Sequence, residues 1–175
     1  MKIAVVSYSL TGNNEALAKM VAERSSADHI KITEALPRKT GKIIGDSLFG
    51  TTPKVWPAPS CIDAYDLVVF VSPVWLGQAA SPLRPYLQRI KDTAKQYAFF
   101  SICGGALGPN PKLKGDLTKR TGAAPAAFAD LHIADLLPID KPTMKDTSAY
   151  RLNSADAKKL AGRISGALQS CMVLA

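Results

Sequence analysis

Short apolar runs alternate with stretches of helical period along most of the chain. Residues 3–6, IAVV, form a β-branched run that is typical of a strand buried on both faces. The period then becomes helical, because Leu17, Met20 and Val21 fall at i, i+3 and i+4. A second strand is predicted at residues 28–33, where apolar positions alternate.

The rest of the chain repeats this alternation after an irregular segment. Strands are predicted at residues 65–72, 97–103 and 126–134, and helices at residues 81–92, at residues 112–121 and from Asn153 and Ser154 onward. Residues 135–151 are predicted to form a polar connection that contains prolines. The irregular segment, residues 34–59, predicts only a short helix near residues 42–49. It is longer than a plain connection in a compact domain, which indicates a function or partial structure of its own.

Five strand-helix alternations predict a single α/β domain over residues 1–175. We expect a doubly wound, five-stranded parallel sheet of order 2-1-3-4-5 with helices on both faces. Ligands of such sheets bind beyond the carboxyl ends of the strands, where the strand order reverses. The loops after the first, third and fourth strands should therefore meet at one crevice.

Length and composition are those of an ordinary globular protein. The chain has 175 residues, of which 47% are hydrophobic and 21% charged. Its longest uninterrupted apolar run, residues 67–71, is far shorter than the roughly 20 residues of a membrane span. The first residues carry no apolar stretch of the length of a signal peptide. We therefore expect a cytoplasmic protein without a membrane span.

Charge and cysteine content exclude several other classes. The net charge of +8 favours anionic partners, but no block of five or six like charges predicts nucleic-acid binding. Cys61, Cys103 and Cys171 are too widely spaced to predict a disulfide framework or a zinc site. Because the chain has only two histidines, a His-based metal site and a Ser/His/Asp triad are both disfavoured. Cys103 is interpreted as a buried, inert thiol, with a reactive thiol as the alternative.

The loop after the first strand, VSYSLTGNN, is rich in hydroxyls and amides and contains no charged side chain. It leads into a helix N-terminus, whose unpaired N–H groups and dipole favour an anion. Ser9, Thr11, Asn13 and Asn14 could add side-chain donors, and Gly12 lets the backbone come close. A phosphate could thus be held without a basic side chain. The loop has neither the P-loop lysine nor the GxGxxG pattern, and a well-capped turn is the alternative.

Three loops together resemble those of the flavodoxin family. The first is similar to the family's phosphate loop, with an asparagine in place of the usual final Ser/Thr, over Ser9, Leu10, Thr11, Gly12, Asn13 and Asn14. The second resembles the loop whose aromatic residue packs on the isoalloxazine ring, over Pro73, Val74, Trp75, Leu76 and Gly77. The third is similar to the glycine-bearing loop at the polar edge of the flavin and begins with Cys103, Gly104, Gly105, Ala106 and Leu107.

The resemblance implies FMN as the cofactor, with no metal and no catalytic side chain, because the flavin carries the redox chemistry. We favour an NAD(P)H-dependent oxidoreductase that passes electrons to a small acceptor such as a quinone. Residues 34–59, with Phe49 and Trp56, are expected to cover the flavin. The oligomeric state is left open, with a homodimer as one alternative.

Two other functions are weighed against this one. The first is an electron-carrier flavodoxin, but the resemblance implies that such carriers are strongly acidic, and the charge of +8 counts against it. The second is a flavin-free binding module on the same fold. A response-regulator receiver is disfavoured, because Ser9 and Ser72 lie where that function needs acidic residues.

Overall fold

The computed structural model describes residues 1–36, 38, 40–105 and 108–173. The strands are β1 (Ile3–Ser7), β2 (Asp28–Lys31), β3 (Leu67–Val71), β4 (Val74–Trp75), β5 (Gln78–Ala79), β6 (Gln96–Cys103) and β7 (Ala127–His132). The helices are α1 (Asn13–Ser25), α2 (Thr40–Phe49), α3 (Arg84–Thr93), α4 (Leu113–Thr121), α5 (Met144–Ala149) and α6 (Ser154–Val173).

Five of these strands form one sheet in the order β2-β1-β3-β6-β7. All four strand pairs in it are parallel. With β6 and β7 as the fourth and fifth strands, this is the 2-1-3-4-5 order predicted from the sequence. The strand order reverses between β1 and β3, so the carboxyl ends of these two strands flank the expected crevice.

The sheet has a separate hydrophobic core on each face, because side chains alternate along a strand. Val5 and Val69 point into the core beneath α1 and α6, whereas Val6 and Phe70 point into the core beneath α3 and α4. All four are fully buried. The apolar runs in β1 and β3 are continuous because both faces of these strands are covered by helices.

Two features of the structure differ from the pattern-based prediction. A small antiparallel hairpin, β4–β5, follows β3, and its tight turn places Leu76 and Gly77 at φ 51° and 76°. The polar connection at residues 135–151 contains α5, which opens with a capping box formed by Thr143 and Asp146. No described helix combines the length and apolar character that a bilayer span requires.

Candidate functional site

A cavity of about 260 Å³ lies at the carboxyl edge of the sheet, where the loops after β1, β3 and β6 converge. Its lining is mostly apolar and comprises Leu10, Thr11, Asn13, Asn14, Pro73, Val74, Trp75, Ile102, Cys103, Gly104, Ile133, Met144, Thr147 and Ser148. No lysine, arginine or carboxylate is among them. The cavity therefore occupies the position that the strand order predicts for a ligand.

The first loop presents the open end of α1 to this cavity. Gly12 precedes the helix with φ 93°, a left-handed conformation that costs a side-chain-bearing residue energy. A Cβ atom on Gly12 would meet nothing within 4 Å, so within the protein the glycine serves the backbone conformation rather than space. Ala16 N donates to Gly12 O at 2.9 Å. The N–H groups of Asn13 and Asn14 precede this first helical bond and therefore have no partner within the helix.

The side-chain amides of Asn13 and Asn14 have structural partners. Asn14 Nδ2 donates to Ile102 O at 2.9 Å, and Asn14 Oδ1 accepts from Ile102 N at 3.0 Å. Asn13 does the same for the chain before α6, donating to Tyr150 O and accepting from Leu152 N, both at 3.0 Å. Each amide nitrogen carries two N–H groups, of which these bonds use one, so the predicted donation from the two side chains to an anion stays a prediction.

The side-chain amide of Asn14 takes the place of a neighbouring strand at the end of β6. The pairing of β3 with β6 ends at Val71 and Phe100, so β6 continues past the end of its neighbour. The N–H and C=O groups of Ile102 would otherwise lack a partner on that side. The amide of Asn14, which is only 3% exposed, supplies both halves of the missing peptide pairing.

The second loop places Trp75 at the cavity, and two side chains from outside this loop support its ring. Trp75 is half-buried, and its ring meets that of Tyr8 edge-to-face, with centroids 5.8 Å apart. The guanidinium carbon of Arg38 lies 5.5 Å from the Trp75 ring centroid. Leu76 and Gly77 form the turn of the hairpin and do not line the cavity.

The described residues of the segment 34–59 support Trp75 and its neighbours and do not line the cavity. The Arg38 side chain is 1% exposed and forms ion pairs with Glu34 and Asp46. Tyr8 donates to Glu34 Oε2 at 2.9 Å, and burial, followed by this bond, raises the pKa of the phenol. Burial opposes ionisation of Asp46, but hydrogen bonds, first of all from Arg38, hold its pKa below the ordinary value. A buried guanidinium with two carboxylates is a costly arrangement that holds only while all the partners remain.

The two aromatic residues expected to cover the flavin lie away from the cavity. Phe49 is 82% exposed and Trp56 is 61% exposed, and neither lines the cavity. Trp56 instead pairs with Thr33 through two backbone hydrogen bonds of 2.8 and 2.9 Å, which attaches the end of the segment beside the edge of the sheet. The expectation that these two aromatics cover the site is not met by the described structure.

The third loop and α5 form the remaining wall. Gly104 O accepts a hydrogen bond from the fully buried Thr147 hydroxyl, which ties α5 to the end of β6. Ala106 and Leu107 lie outside the described residues. Ile102, Ile133, Met144, Thr147 and Ser148 line the cavity although the sequence did not point to them. The Thr143-x-x-Asp146 spacing was the one signal that could have located α5.

The predicted site residues divide into two groups. Those at the cavity are Leu10, Thr11, Asn13, Asn14, Pro73, Val74, Trp75, Cys103 and Gly104. Those that do not line it are Ser9, Gly12, Leu76, Gly77 and Gly105. Ser9 still shapes the first loop, because its hydroxyl accepts from Gly12 N at 3.0 Å.

Comparison with known proteins places the fold. No protein-family model matches the chain, and no curated protein sequence does. A flavoprotein from Lactobacillus acidophilus NCFM, solved in complex with FMN, is 22% identical with a TM-score of 0.58, over 74% of this chain and 92% of that chain.

Two longer alignments agree with the first. A candidate flavoprotein from Bacteroides uniformis ATCC 8492 is 15% identical with a TM-score of 0.64, over 92% of this chain and 97% of that chain. Another, from Bacteroides eggerthii DSM 20697, is 16% identical with a TM-score of 0.62, over 94% of this chain and 98% of that chain. The chain thus has the flavodoxin-like fold predicted from its sequence, and at these identities the likeness concerns the fold.

Replacing Asn14 with alanine should destabilise the protein. The change leaves two buried backbone groups of Ile102 without partners, each at about 1–3 kcal/mol, so we expect a loss of about 2–6 kcal/mol in the free energy of unfolding. Urea unfolding followed by circular dichroism measures it. Glu23→Ala, an exposed change on the same helix, is the control and should shift stability by less than about 0.5 kcal/mol. Equal effects of the two variants would contradict the role assigned to Asn14.

Proposed function

We propose that the chain is an FMN-binding flavoprotein that acts as an NAD(P)H-dependent oxidoreductase and passes electrons to a small acceptor such as a quinone. The observation that carries the proposal is the convergence of the loops after β1, β3 and β6 on one cavity at the switch point of the sheet. The FMN complex of the L. acidophilus protein, which has the same fold, supports the choice of cofactor.

The groups at the cavity fit the parts of FMN. The backbone N–H groups at the start of α1 suit the phosphate, since a helix N-terminus favours an anion by roughly 0.3–2 kcal/mol. The apolar lining and the half-buried indole of Trp75 suit a flat ring system. Gly104, without a side chain, allows the backbone of the third loop to approach a ring edge. When bound, FMN would supply the hydride and electron transfer.

The residues of the chain then have distinct tasks. Thr11 and the first turn of α1 would anchor the phosphate, and Trp75 would orient the ring. Tyr8 and Arg38 keep the indole from turning away, because both contact it from the protein side. Val74 and Met144 would shield one of the two faces of the ring from water.

The volume of the cavity supports the choice of a small electron acceptor. Its volume of about 260 Å³ lies a little below the roughly 300–1,000 Å³ of typical ligand pockets, so a bound flavin would project into solvent. An exposed ring face would leave room for a nicotinamide or a quinone to lie on it. The net charge of +8 would attract an anionic donor such as NADPH.

Replacing Trp75 with leucine should weaken FMN binding about three- to tenfold. This range follows from the roughly 0.5–1.5 kcal/mol that an aromatic pair contributes beyond area burial. Titration of FMN followed by the loss of its fluorescence measures the change. Trp56→Leu is the matched control, because this exposed tryptophan lies away from the cavity, and it should bind FMN as the wild type does. Equal affinities for the two variants would remove Trp75 from the proposed site.

Reduction by a nicotinamide separates the enzyme from the electron carrier. Without oxygen, NADPH or NADH should bleach the visible bands of the FMN-loaded protein within seconds, and a quinone should restore them. Bands that persist until a strong chemical reductant is added would support the electron carrier instead. Absence of any FMN binding would leave the flavin-free binding module.

A further inference from the structure

A second group of side chains capable of chemistry lies beside the cavity. β6 and β7 pair Ser101 with Asp130 and Cys103 with His132, so these four side chains share one face at the carboxyl end of the sheet. Cys103 Sγ is 3.3 Å from His132 Nδ1 and 3.8 Å from Asp130 Oδ1, and Asp130 Oδ2 is 3.5 Å from His132 Nε2. In the part of the chain that the structure describes, no other three His, Cys, Asp or Glu side chains come together in this way.

We propose that Cys103, Asp130 and His132 bind one Zn²⁺ ion. One sulfur, one ring nitrogen and one carboxylate oxygen of the cluster lie within 4.8 Å of one another. Ligands at about 2.0–2.3 Å around a tetrahedral zinc lie roughly 3.3–3.7 Å apart, so small side-chain movements would bring these atoms into position. One sulfur, one imidazole nitrogen and one carboxylate oxygen form a ligand set suited to zinc. With a thiolate and a carboxylate, the occupied site carries no net charge.

A buried nitrogen without a partner points to the same ligand. His132 is 7% exposed, and its Nε2 has no hydrogen-bond partner among the residues that the structure describes. Such buried polar atoms are rare because they lose their hydration without compensation. A zinc ion bound to Nε2 would give this nitrogen the partner that it lacks.

The carboxylate is already held in place by neighbours. Ser101 Oγ donates to Asp130 Oδ1 at 2.6 Å, while Asn110 donates to Oδ2 through its backbone N at 2.9 Å and its side-chain Nδ2 at 2.8 Å. Zinc-binding carboxylates are typically held by such outer hydrogen bonds. Asp130 has no lysine or arginine ion-pair partner among the described residues. A divalent cation would therefore supply the charge that this buried carboxylate lacks.

The cavity offers a path to the cluster. Cys103 and Gly104 line the cavity, whereas Asp130 and His132 are not among its lining residues and have side chains 6% and 8% exposed. An ion would enter past the Cys103 sulfur. Spacing along the sequence does not predict this cluster, because Cys103 and His132 are distant in the chain and become neighbours only through the pairing of β6 with β7.

Metal titration of the full chain tests the proposal. After dialysis against a chelator, calorimetry with Zn²⁺ should give one ion per chain. Co²⁺ as a probe should give the visible bands of tetrahedral cobalt and a thiolate charge-transfer band, in a difference spectrum that cancels any flavin absorption. Asn110→Ala should weaken zinc binding about 10–100-fold, as loss of an outer partner does. Cys103→Ser and His132→Gln should weaken it further.

A matched control separates the cluster from incidental thiols. Cys61→Ser, which removes a half-buried thiol outside the cluster, should leave zinc affinity and the cobalt spectrum unchanged. The wild-type cobalt spectrum is read without mutation, so the test does not depend on whether a variant folds. Absence of the thiolate band in the wild type, or equal zinc affinity in the wild type and Cys103→Ser, would overturn the proposal and leave the cluster as a hydrogen-bonded network.

Discussion

The paired hydrogen bonds between the Asn14 amide and the backbone of Ile102 join two of the three loops that form the cavity. They fix the start of α1 against the end of β6, which extends beyond its neighbour β3. The amide of Asn13 makes the same pair of hydrogen bonds with the chain that precedes α6. The first turn of α1 therefore lies at a cavity whose walls are held by the side chains of the same two residues, and the geometry of the site depends on these amides.

The second constraint is the group of buried charged side chains that supports Trp75. Arg38, Glu34 and Asp46 come from the irregular segment and its helix, and the phenol of Tyr8 joins them to the end of β1. Trp75 rests on this group through Tyr8 and Arg38. The segment thus contributes to the site by supporting an aromatic side chain from within the protein, and its exposed aromatics are not needed for that support.

Much of the fold could be predicted because continuous β-branched runs and helical periods are local features. The order 2-1-3-4-5 then followed from compactness, and it correctly located the crevice. The roles of Asn13 and Asn14 could not be predicted, since their partners at Tyr150 and Ile102 are far away in the chain. The same holds for the pairing of Cys103 with His132. Helix α5 was missed because its six residues are too few to display a period.

Amide chemical shifts recorded during an FMN titration test most directly whether the three loops form the cofactor site. The account predicts that the largest changes fall on Thr11, Asn13, Gly104 and Thr147 and on the indole N–H of Trp75. The strongest competing location is the basic groove between α3 and α4, which is lined by Arg84, Lys91, Lys119 and Arg120. Changes confined to that groove would contradict the account, because the phosphate would then be held by basic side chains rather than by the first turn of α1.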